Sequence, residues 1–439
     1  MYIMRRIYTH LGLVIIVSLC LFPVIQWFMM KPLELRFGSY VMWATSLGQL
    51  SALLGFSMFS VSLILIARLK WLEPIFGGLD RIFQAHRYLG MYGFLLMLFH
   101  PLALAMVYIP VSIATAAMFF LPTIADPLRS LGIVALILMM LLLIATFFAH
   151  WRYQALLGAH RFLGFAFMLG TLHAMLIPSD ISKNTTLMVY CGTLAFFAIL
   201  AYLYRTLLKK IVPKYHYMVT EVRALPGGVT DIALKSVDKP LRFKPGQFVF
   251  ISFKNGGVSE EVHPFSISSA PQSTDLHLTI KALGDWTTEV PCLAVGATAS
   301  IEGPFGGFTE DRSVTPKREV WVAGGIGITP FLSRARSIAY TGTTKTIDFY
   351  YTTNTREEML FLSELQIIAK TQPNLRIIPH ASKDSGFLSA ATLHQHSAPL
   401  RETDIFVCGP PPMMKSIIRQ CKDLGVPASQ IHAEEFSML

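Results

Sequence analysis

The sequence predicts a multi-domain membrane protein, in which a six-helix transmembrane bundle precedes an antiparallel β-barrel domain and an α/β domain with a parallel sheet. Three observations predict this fold class. Long apolar stretches lie before about residue 210, short alternating strands begin near residue 214, and strands alternate with helices from about residue 318. We therefore divide the chain into residues 1–210, 214–312 and 318–439.

The composition favours a membrane-embedded first half. The chain is 53% hydrophobic and 15% charged, whereas soluble proteins average about 25% charged residues. The net charge of +10 fits either a nucleic-acid partner or the loop bias of a membrane protein with a cofactor site. No cluster of Lys and Arg interleaves with aromatic residues in a soluble segment, which disfavours nucleic acid. The five cysteines form no metal-spaced set. They suggest no disulfide framework, which fits a cytosolic soluble half.

Six apolar stretches are each about long enough to cross ~30 Å of hydrocarbon as a helix. They lie near residues 11–30, 42–67, 87–108, 128–149, 161–178 and 187–208. The first stretch resembles a signal peptide in following Arg5 and Arg6, but its length, Pro23 and the lack of a cleavage site favour a retained helix. The loop bias of Lys and Arg predicts cytoplasmic N- and C-termini.

Four histidines lie within or beside the third and fifth stretches as two matched sets. His86 and His100 are 14 residues apart, and His160 and His173 are 13 apart. On a helix, the 14-residue spacing places both residues on roughly one face, and either spacing places them about 20 Å apart. Two such helices side by side offer His86 with His160, the inner pair, and His100 with His173, the outer pair.

The two pairs suit two stacked bis-histidine haems, because neutral imidazole is an axial haem ligand. The alternative is four unrelated polar residues in a bundle core. Ionisable residues at membrane depth are costly, and matched depth on two helices favours ligation. The sequence has no CxxCH motif for covalent attachment, which predicts b-type haem.

The soluble half contains two patterns of strands. Alternating strands separated by Gly- and Pro-containing turns predict a small antiparallel barrel over 217–224, 230–235, 248–253 and 276–282. The later strands at 319–323, 346–351, 376–379 and 404–407 alternate with helices at 329–340, 358–371 and 410–424. That alternation predicts a parallel sheet.

Four motifs in this half contain donors and glycines suited to phosphates and ring systems. The first, His263-Pro264-Phe265-Ser266, follows a barrel strand and is compatible with flavin binding or with an ordinary polar turn. The second, 281–288, leads towards 303–307, and its small residues let backbone N–H groups approach a pyrophosphate.

The third motif, 323–330, lies between a strand and a helix. Gly324, Gly325 and Gly327 allow close approach of a dinucleotide phosphate, and Thr329 is expected to cap the helix. The fourth, 408–413, follows a later strand, at the sheet edge where α/β proteins bind ligands; the alternative is a rigid loop with a buried Cys408.

Together, these motifs resemble those of the ferredoxin–NADP reductase superfamily in order and spacing. The histidine spacings of the membrane half resemble those of the NADPH oxidase and ferric reductase family. The resemblance covers nearly the whole chain. It implies a prokaryotic NADPH oxidase homologue in the bacterial inner membrane, with FAD on the barrel and NAD(P)H on the α/β domain.

The resemblance also implies roles for individual residues. Those expected to contact the flavin are His263, Pro264, Phe265 and Ser266. Those expected near the FAD pyrophosphate are Lys281, Trp286 and Thr287. Those expected to hold the nicotinamide nucleotide are Gly324, Gly325, Gly327, Thr329, Gly409 and Pro410. Cys408 is expected beside the nicotinamide, where a hydride passes to flavin N5. Family members often end on an aromatic residue that stacks on the flavin; here it would be Phe436, although three residues follow it.

The nucleotide preference is expected to favour NADPH over NADH. Basic and hydroxyl groups follow the second strand of the α/β domain, where a 2′-phosphate would bind. These residues are Thr352, Thr353, Asn354 and Arg356, with Ser382 and Lys383 nearby.

We therefore expect electrons to pass from NAD(P)H through FAD and two haems to an acceptor outside. The first expectation is an oxidase that reduces O₂ to superoxide. The alternatives are a ferric-chelate reductase, an electron donor to an extracytoplasmic protein, and a cytosolic flavin reductase with a structural membrane half. The expected partners are NAD(P)H, the acceptor and membrane lipid. The sequence indicates no obligatory protein partner.

Overall fold

The structure, a computed structural model, describes residues 2–148, 153–208, 212–309, 317–397 and 399–434. The chain divides into two compact units: a helical unit formed mainly by residues 7–212, and a second unit formed mainly by Pro213–Leu439. Within the described residues, six helices are long and apolar enough to cross a membrane. The predicted fold class is confirmed, whereas the domain boundaries remain predictions.

The helical unit contains long helices joined by short ones. They are α1 (Tyr2–Met29), α2 (Glu34–Phe37), α3 (Tyr40–Leu65), α4 (Glu73–Phe76), α5 (Leu79–Met106), α6 (Ile113–Met118), α7 (Pro127–Phe148), α8 (Tyr153–Leu176), α9 (Asp180–Lys183) and α10 (Thr185–Thr206). The side chains of Ser39 and Asn184 accept backbone N–H groups at the starts of α3 and α10. Such caps satisfy donors that a helix start leaves unpaired.

Helices α3 and α5 approach each other closely at a pair of glycines. A Cβ atom on Gly55 would lie 2.9 Å from the Gly93 carbonyl oxygen, and one on Gly93 would lie 3.2 Å from the Gly55 carbonyl oxygen. Small residues permit such backbone approach between membrane helices. The crossing brings α3 against α5, the helix that carries His86 and His100.

The first half of the second unit is an antiparallel barrel. Its strands are β1 (Tyr215–Leu225), β2 (Val229–Ser236), β3 (Phe248–Lys254), β4 (His263–Ser266), β5 (Leu276–Lys281) and β6 (Thr298–Phe305), in the order β4-β3-β6-β1-β2-β5. A bridge between Ile267 and Leu278 joins the two edges of this sheet. The short helix α11 (Asp285–Glu289) follows β5, and Trp286 on it packs into the barrel core.

The second half of this unit is a parallel sheet flanked by helices. Its strands are β7 (Arg318–Gly324), β8 (Thr346–Thr353), β9 (Leu375–Ala381), β10 (Asp404–Cys408) and β11 (Ile431–Glu434), in the order β11-β10-β7-β8-β9. Its helices are α12 (Thr329–Thr341), α13 (Leu362–Thr371), α14 (Ser382–Ser385), α15 (Ala390–His396) and α16 (Pro411–Asp423). The switch in strand order between β7 and β10 marks the sheet edge where ligands of such folds bind.

Hydrogen bonds join the barrel to α12 of the parallel-sheet half. The Ser333 hydroxyl donates to the Ser269 carbonyl oxygen at 2.7 Å, and Arg336 donates to the Ser268 carbonyl oxygen at 2.8 Å. Arg336 also binds both carboxylate oxygens of Glu364. These contacts hold the part of the barrel that follows the His-Pro-Phe-Ser motif against the parallel-sheet half.

Candidate functional site

The inner pair lies between α5 and α8. The ring centres of His86 and His160 are 6.1 Å apart, and the ring planes are inclined by 75°. Nδ1 of His86 lies 2.8 Å from the Ser62 hydroxyl oxygen and 3.0 Å from the Ser62 carbonyl oxygen. Ser62 on α3 therefore fixes the orientation of the His86 ring.

The outer pair has a similar arrangement on the same two helices. Nδ1 of His100 donates to the Gly48 carbonyl oxygen at 2.8 Å, and Nδ1 of His173 donates to the Leu128 carbonyl oxygen at 2.7 Å. Gly132 packs directly on the His173 ring, since a Cβ atom there would lie 2.8 Å from three of its atoms. Two backbone carbonyls thus orient the outer pair.

These hydrogen bonds determine which ring nitrogen can bind a metal. A neutral imidazole that donates its Nδ1 proton to a carbonyl keeps an unprotonated Nε2 with a free lone pair. Metal-binding histidines use such partners to fix the tautomer and ring direction. In the inner pair, ring centres 6.1 Å apart leave space for one metal at about 2 Å from each nitrogen. The residues therefore fit bis-histidine iron.

The His-Pro-Phe-Ser motif forms β4 at the edge of the sheet, next to β3. Nε2 of His263 lies 3.0 Å from a Glu261 carboxylate oxygen, and its ring centre is 4.3 Å from that of Trp286. Ser266 pairs with Phe248 across the strands, and its hydroxyl is buried without a hydrogen-bond partner. A buried, unpaired hydroxyl is costly, so Ser266 fits a bound ligand that supplies the missing partner.

The structure gives the second motif a largely structural arrangement. Trp286 is 3% exposed and donates its indole N–H to the Ser259 carbonyl oxygen at 2.9 Å. The Thr287 hydroxyl accepts the N–H groups of Leu283 and Gly284, both at 2.9 Å. Lys281 ends β5 and is partly exposed. The expected pyrophosphate contacts of Lys281, Trp286 and Thr287 remain predictions.

The glycine run and the Cys-Gly-Pro-Pro-Pro-Met motif pack against each other at the carboxyl ends of β7 and β10. A Cβ atom on Gly327 would lie 2.5 Å from the Cys408 carbonyl oxygen, and one on Gly324 would lie 2.7 Å from the Met413 sulfur. Gly325 has a φ of 53°, which glycine adopts without strain. The glycines thus allow two loops, including Gly409 and Pro410, to meet at one sheet edge.

One prediction about this edge is wrong. Thr329 was expected to cap α12, but it is the first helical residue, and Ile328 occupies the cap position. Its hydroxyl donates to the Ile326 carbonyl oxygen at 3.2 Å. The preceding 3₁₀ turn, Gly325–Ile328, moves the helix start and takes the place of a side-chain cap.

Cys408 lies at the end of β10, between Ala323 on β7 and Glu434 on β11. Its side chain is fully buried. Burial raises the pKa of the Cys408 thiol well above its usual value, and the charge of Glu434 raises it further. Cys408 therefore remains a neutral thiol at physiological pH.

Glu434 connects this edge to the barrel. A Cβ atom on Gly306, in the Gly-Pro-Phe-Gly segment, would lie 2.9 Å from Glu434 Oε1 and 2.9 Å from the Phe248 ring. Phe248 is the strand partner of Ser266. The two predicted binding regions therefore meet through Glu434, a residue that the sequence motifs did not single out.

The predicted 2′-phosphate region is exposed only in part. Thr352 and Thr353 belong to the end of β8 and are buried, whereas Asn354 follows the strand and is exposed. Arg356 and Lys383 are both solvent-exposed. A backbone hydrogen bond, the Thr355 side chain, and the charges of Lys383 and Arg356 lower the pKa of Glu357. Glu358 accepts the Asn354 N–H at 3.2 Å. Basic and acidic groups thus share this region. Phe436 lies outside the described residues, so its stacking role remains a prediction.

Three family profiles match successive parts of the chain. The ferric reductase like transmembrane component matches residues 51–171. The FAD-binding domain matches 214–307, and the oxidoreductase NAD-binding domain matches 321–419.

Several curated proteins are similar to part of the chain. The glycine betaine monooxygenase reductase subunit of Chromohalobacter salexigens is 30% identical, over 45% of this chain and 58% of its own length. The flavohemoprotein of Rhodopirellula baltica is 25% identical, over 47% and 57%. Dual oxidase 2 of Rattus norvegicus is 27% identical, over 48% and 17%. The matches thus span less than two thirds of each relative.

One solved structure is similar over most of the chain. Flavohemoglobin from Malassezia yamatoensis has a TM-score of 0.51 at 19% identity, covering 90% of this chain and 98% of that one. At this identity the similarity concerns the fold alone. The chain thus contains a ferric reductase-like transmembrane component, followed by an FAD-binding domain and an oxidoreductase NAD-binding domain.

Proposed function

We propose that the protein transfers electrons from cytosolic NAD(P)H, through FAD and two b-type haems, to an acceptor on the outer face of the membrane. The observation that carries this proposal is the orientation of the histidines. Three of them direct Nδ1 at a backbone carbonyl, on Ser62, Gly48 and Leu128. That arrangement keeps Nε2 of His86, His100 and His173 available for iron.

In this proposal, the chain's own residues hold the redox groups and exclude water. His86 with His160 and His100 with His173 would be the four axial ligands. Bound there, FAD and haem would convert the two-electron donor NAD(P)H into a source of single electrons. The Ser266 hydroxyl would bind the flavin, and the buried, neutral Cys408 would border the nicotinamide without adding a charge.

We propose O₂ as the acceptor and superoxide as the product. The segment 109–125, which joins α5 to α7, has no charged side chain. The next residue, Asp126, is paired with Arg129 at 3.6 Å. Hard cations such as Fe³⁺ favour oxygen ligands, above all carboxylates, so this segment suits a small neutral acceptor. The second candidate is a ferric chelate, which brings its own ligands.

A single comparison distinguishes the two acceptors. Purified full-length protein with FAD and haem is supplied with NADPH and either O₂ or a ferric chelate. The proposal predicts cytochrome c reduction in air that superoxide dismutase abolishes, and slower chelate reduction without O₂. Chelate reduction that is faster and insensitive to superoxide dismutase would favour the ferric reductase.

The nucleotide preference is tested in the same assay. We propose that NADPH is preferred, since Arg356 and Lys383 are exposed beside the end of β8. Arg356→Ala should then raise KM for NADPH and leave KM for NADH unchanged. Equal changes in KM for NADPH and NADH would mean that Arg356 does not bind the 2′-phosphate. That result would favour the alternative that the neighbouring Glu358 binds a ribose hydroxyl.

The proposed location is a bacterial inner membrane, with both termini in the cytoplasm. The six apolar helices support a multi-pass membrane protein, and the bias of Lys and Arg in the loops supports this orientation. A protease added to inside-out vesicles should then cleave the soluble half.

A further inference from the structure

A buried ion pair joins two connections between the membrane helices. Arg36 on α2 is 2% exposed and Asp180 on α9 is 7% exposed. Arg36 Nη1 lies 2.6 Å from Asp180 Oδ2, and Lys31 Nζ lies 3.1 Å from Asp180 Oδ1. Burial would raise the pKa of Asp180, but the hydrogen bonds and charges of Arg36 and Lys31 outweigh it and lower the pKa. The pair is therefore ionised.

The Arg36 guanidinium extends this contact to α1 and α3. Nη2 donates to the Trp27 carbonyl oxygen at 2.6 Å, and Nη1 lies 3.3 Å from Gln49 Oε1. The guanidinium carbon lies 3.5 Å from the centre of the Trp27 ring, and the Trp27 indole N–H donates to Gln49 Oε1 at 3.0 Å. The Ser46 hydroxyl donates to the Arg36 carbonyl oxygen at 2.7 Å. Two positions of α3, 46 and 49, are thereby fixed.

The fixed stretch of α3 contains the group that orients His100. Gly48 lies between Ser46 and Gln49, and its carbonyl oxygen accepts the His100 Nδ1 proton at 2.8 Å. On the other side of the ion pair, Asp180 follows the end of α8 at Leu176, and His173 lies in the last turn of that helix. Arg36 and Asp180 therefore connect the stretch of α3 that supports His100 with the end of the helix that carries His173.

We propose that the Arg36–Asp180 ion pair is the positioning element of the outer pair, setting how His100 and His173 present Nε2 to the outer haem. This inference rests on the proposed function. Burying two charges is unfavourable unless their geometry is fixed. The network holds Ser46 and Gln49, and so holds between them the Gly48 carbonyl that orients His100. Arg36 and Asp180 act through their neighbours and are not ligands.

The test measures the haems themselves. Wild-type protein, Asp180→Asn, Arg36→Gln and Arg36→Lys are purified at full length in lipid nanodiscs. Haem per protein, the midpoint potential of each haem and its low-spin electron paramagnetic resonance signal are recorded. His173→Ala, which should lose the outer haem, assigns the potentials. The matched control is Glu34→Gln, because Glu34 is an exposed carboxylate on α2, the same short helix that carries Arg36.

Asp180→Asn and Arg36→Gln should shift the outer haem's reduction equilibrium about tenfold, or about 59 mV, or lose that haem. The inner haem should remain unchanged. Arg36→Lys keeps the charge but not the forked contacts, so it should shift the potential less. Arg36→Lys also tests the proposal if Asp180→Asn and Arg36→Gln do not fold. Glu34→Gln should match the wild type.

Two outcomes would overturn the inference. The first is that the Arg36 and Asp180 variants keep both haems, with the midpoint potentials and electron paramagnetic resonance signals of the wild type. The second is an equal change in both haems, which would show a general loss of bundle structure. Absence of two haems in the wild type would instead contradict the proposed function, and the inference with it.

Discussion

Gly132→Ala should disturb the outer pair without replacing either of its histidines. A Cβ atom at this position would lie 2.8 Å from three atoms of the His173 ring, whereas ordinary contact begins at 3.4 Å, so the ring must move by about 0.6 Å. Its hydrogen bond to Leu128, now 2.7 Å long, limits that movement. Overpacking of this kind costs about 1–3 kcal/mol, and alanine recovers about 0.8–1.0 kcal/mol of helix propensity.

The difference is about 0–2 kcal/mol, and its midpoint of about 1 kcal/mol corresponds to a factor of about 5 in an equilibrium constant. We therefore expect Gly132→Ala to weaken retention of the outer haem by that factor, measured as haem per protein during competition with apomyoglobin. Gly192→Ala is the matched control, because nothing lies within 4 Å of a Cβ atom there. Equal haem retention in both variants would refute the packing argument.

Three further predictions concern the second unit. Cys292 is exposed and Cys408 is buried, so a maleimide should label the folded protein at Cys292, and Cys292→Ser should remove that labelling; equally fast labelling of Cys408 would contradict its burial. Ser266→Ala should weaken FAD binding about two- to tenfold, for one hydrogen bond of about 0.5–1.5 kcal/mol, and an unchanged Kd by flavin fluorescence would exclude that contact. Glu319→Gln leaves Arg334, 2.5 Å away, and Lys345, 2.7 Å away, without their carboxylate and should destabilise this unit by about 3–5 kcal/mol. Burial raises the pKa of Glu319, but Arg334 and Lys345 lower it below 4.5. The stability that ionised Glu319 contributes to the folded unit is therefore fully present above pH 4.5. It is lost as the pH falls through the lower pKa that Glu319 has in the folded state. Thermal FAD release between pH 7 and pH 4 should therefore depend less on pH in the variant than in the wild type.

Much of the architecture was predictable because its sequence patterns are long. Six apolar stretches and the strand–helix alternation extend over many residues, so local exceptions do not alter the fold class. The histidine spacings predicted two pairs, and the structure brings His86 and His160 to a ring separation of 6.1 Å.

The groups that orient the histidines were not predictable from the sequence. The partners of His100 and His173 are the backbone carbonyls of Gly48 and Leu128, and every residue has a carbonyl. Arg36 and Asp180 are 144 positions apart, so only the packing of the bundle shows that they form a pair.

The motifs of the soluble half do not show how their single side chains pack. The ligand contact of Trp286 remains a prediction, and its ring stacks with Phe253 and Phe265 in the barrel. A large aromatic side chain gains most by burial, and a motif does not reveal which face of the barrel it occupies. Thr329 does not cap α12, because the glycine-containing segment before it forms a 3₁₀ turn.

The central claim is that electrons reach the outer haem only through the inner one. Anaerobic reduction of purified His86→Ala and His173→Ala by NADPH, followed by dithionite, tests it most directly. We predict that NADPH reduces the one haem left in His173→Ala. In His86→Ala, only dithionite should reduce the remaining haem. Reduction of that haem by NADPH at the wild-type rate would contradict the proposed route.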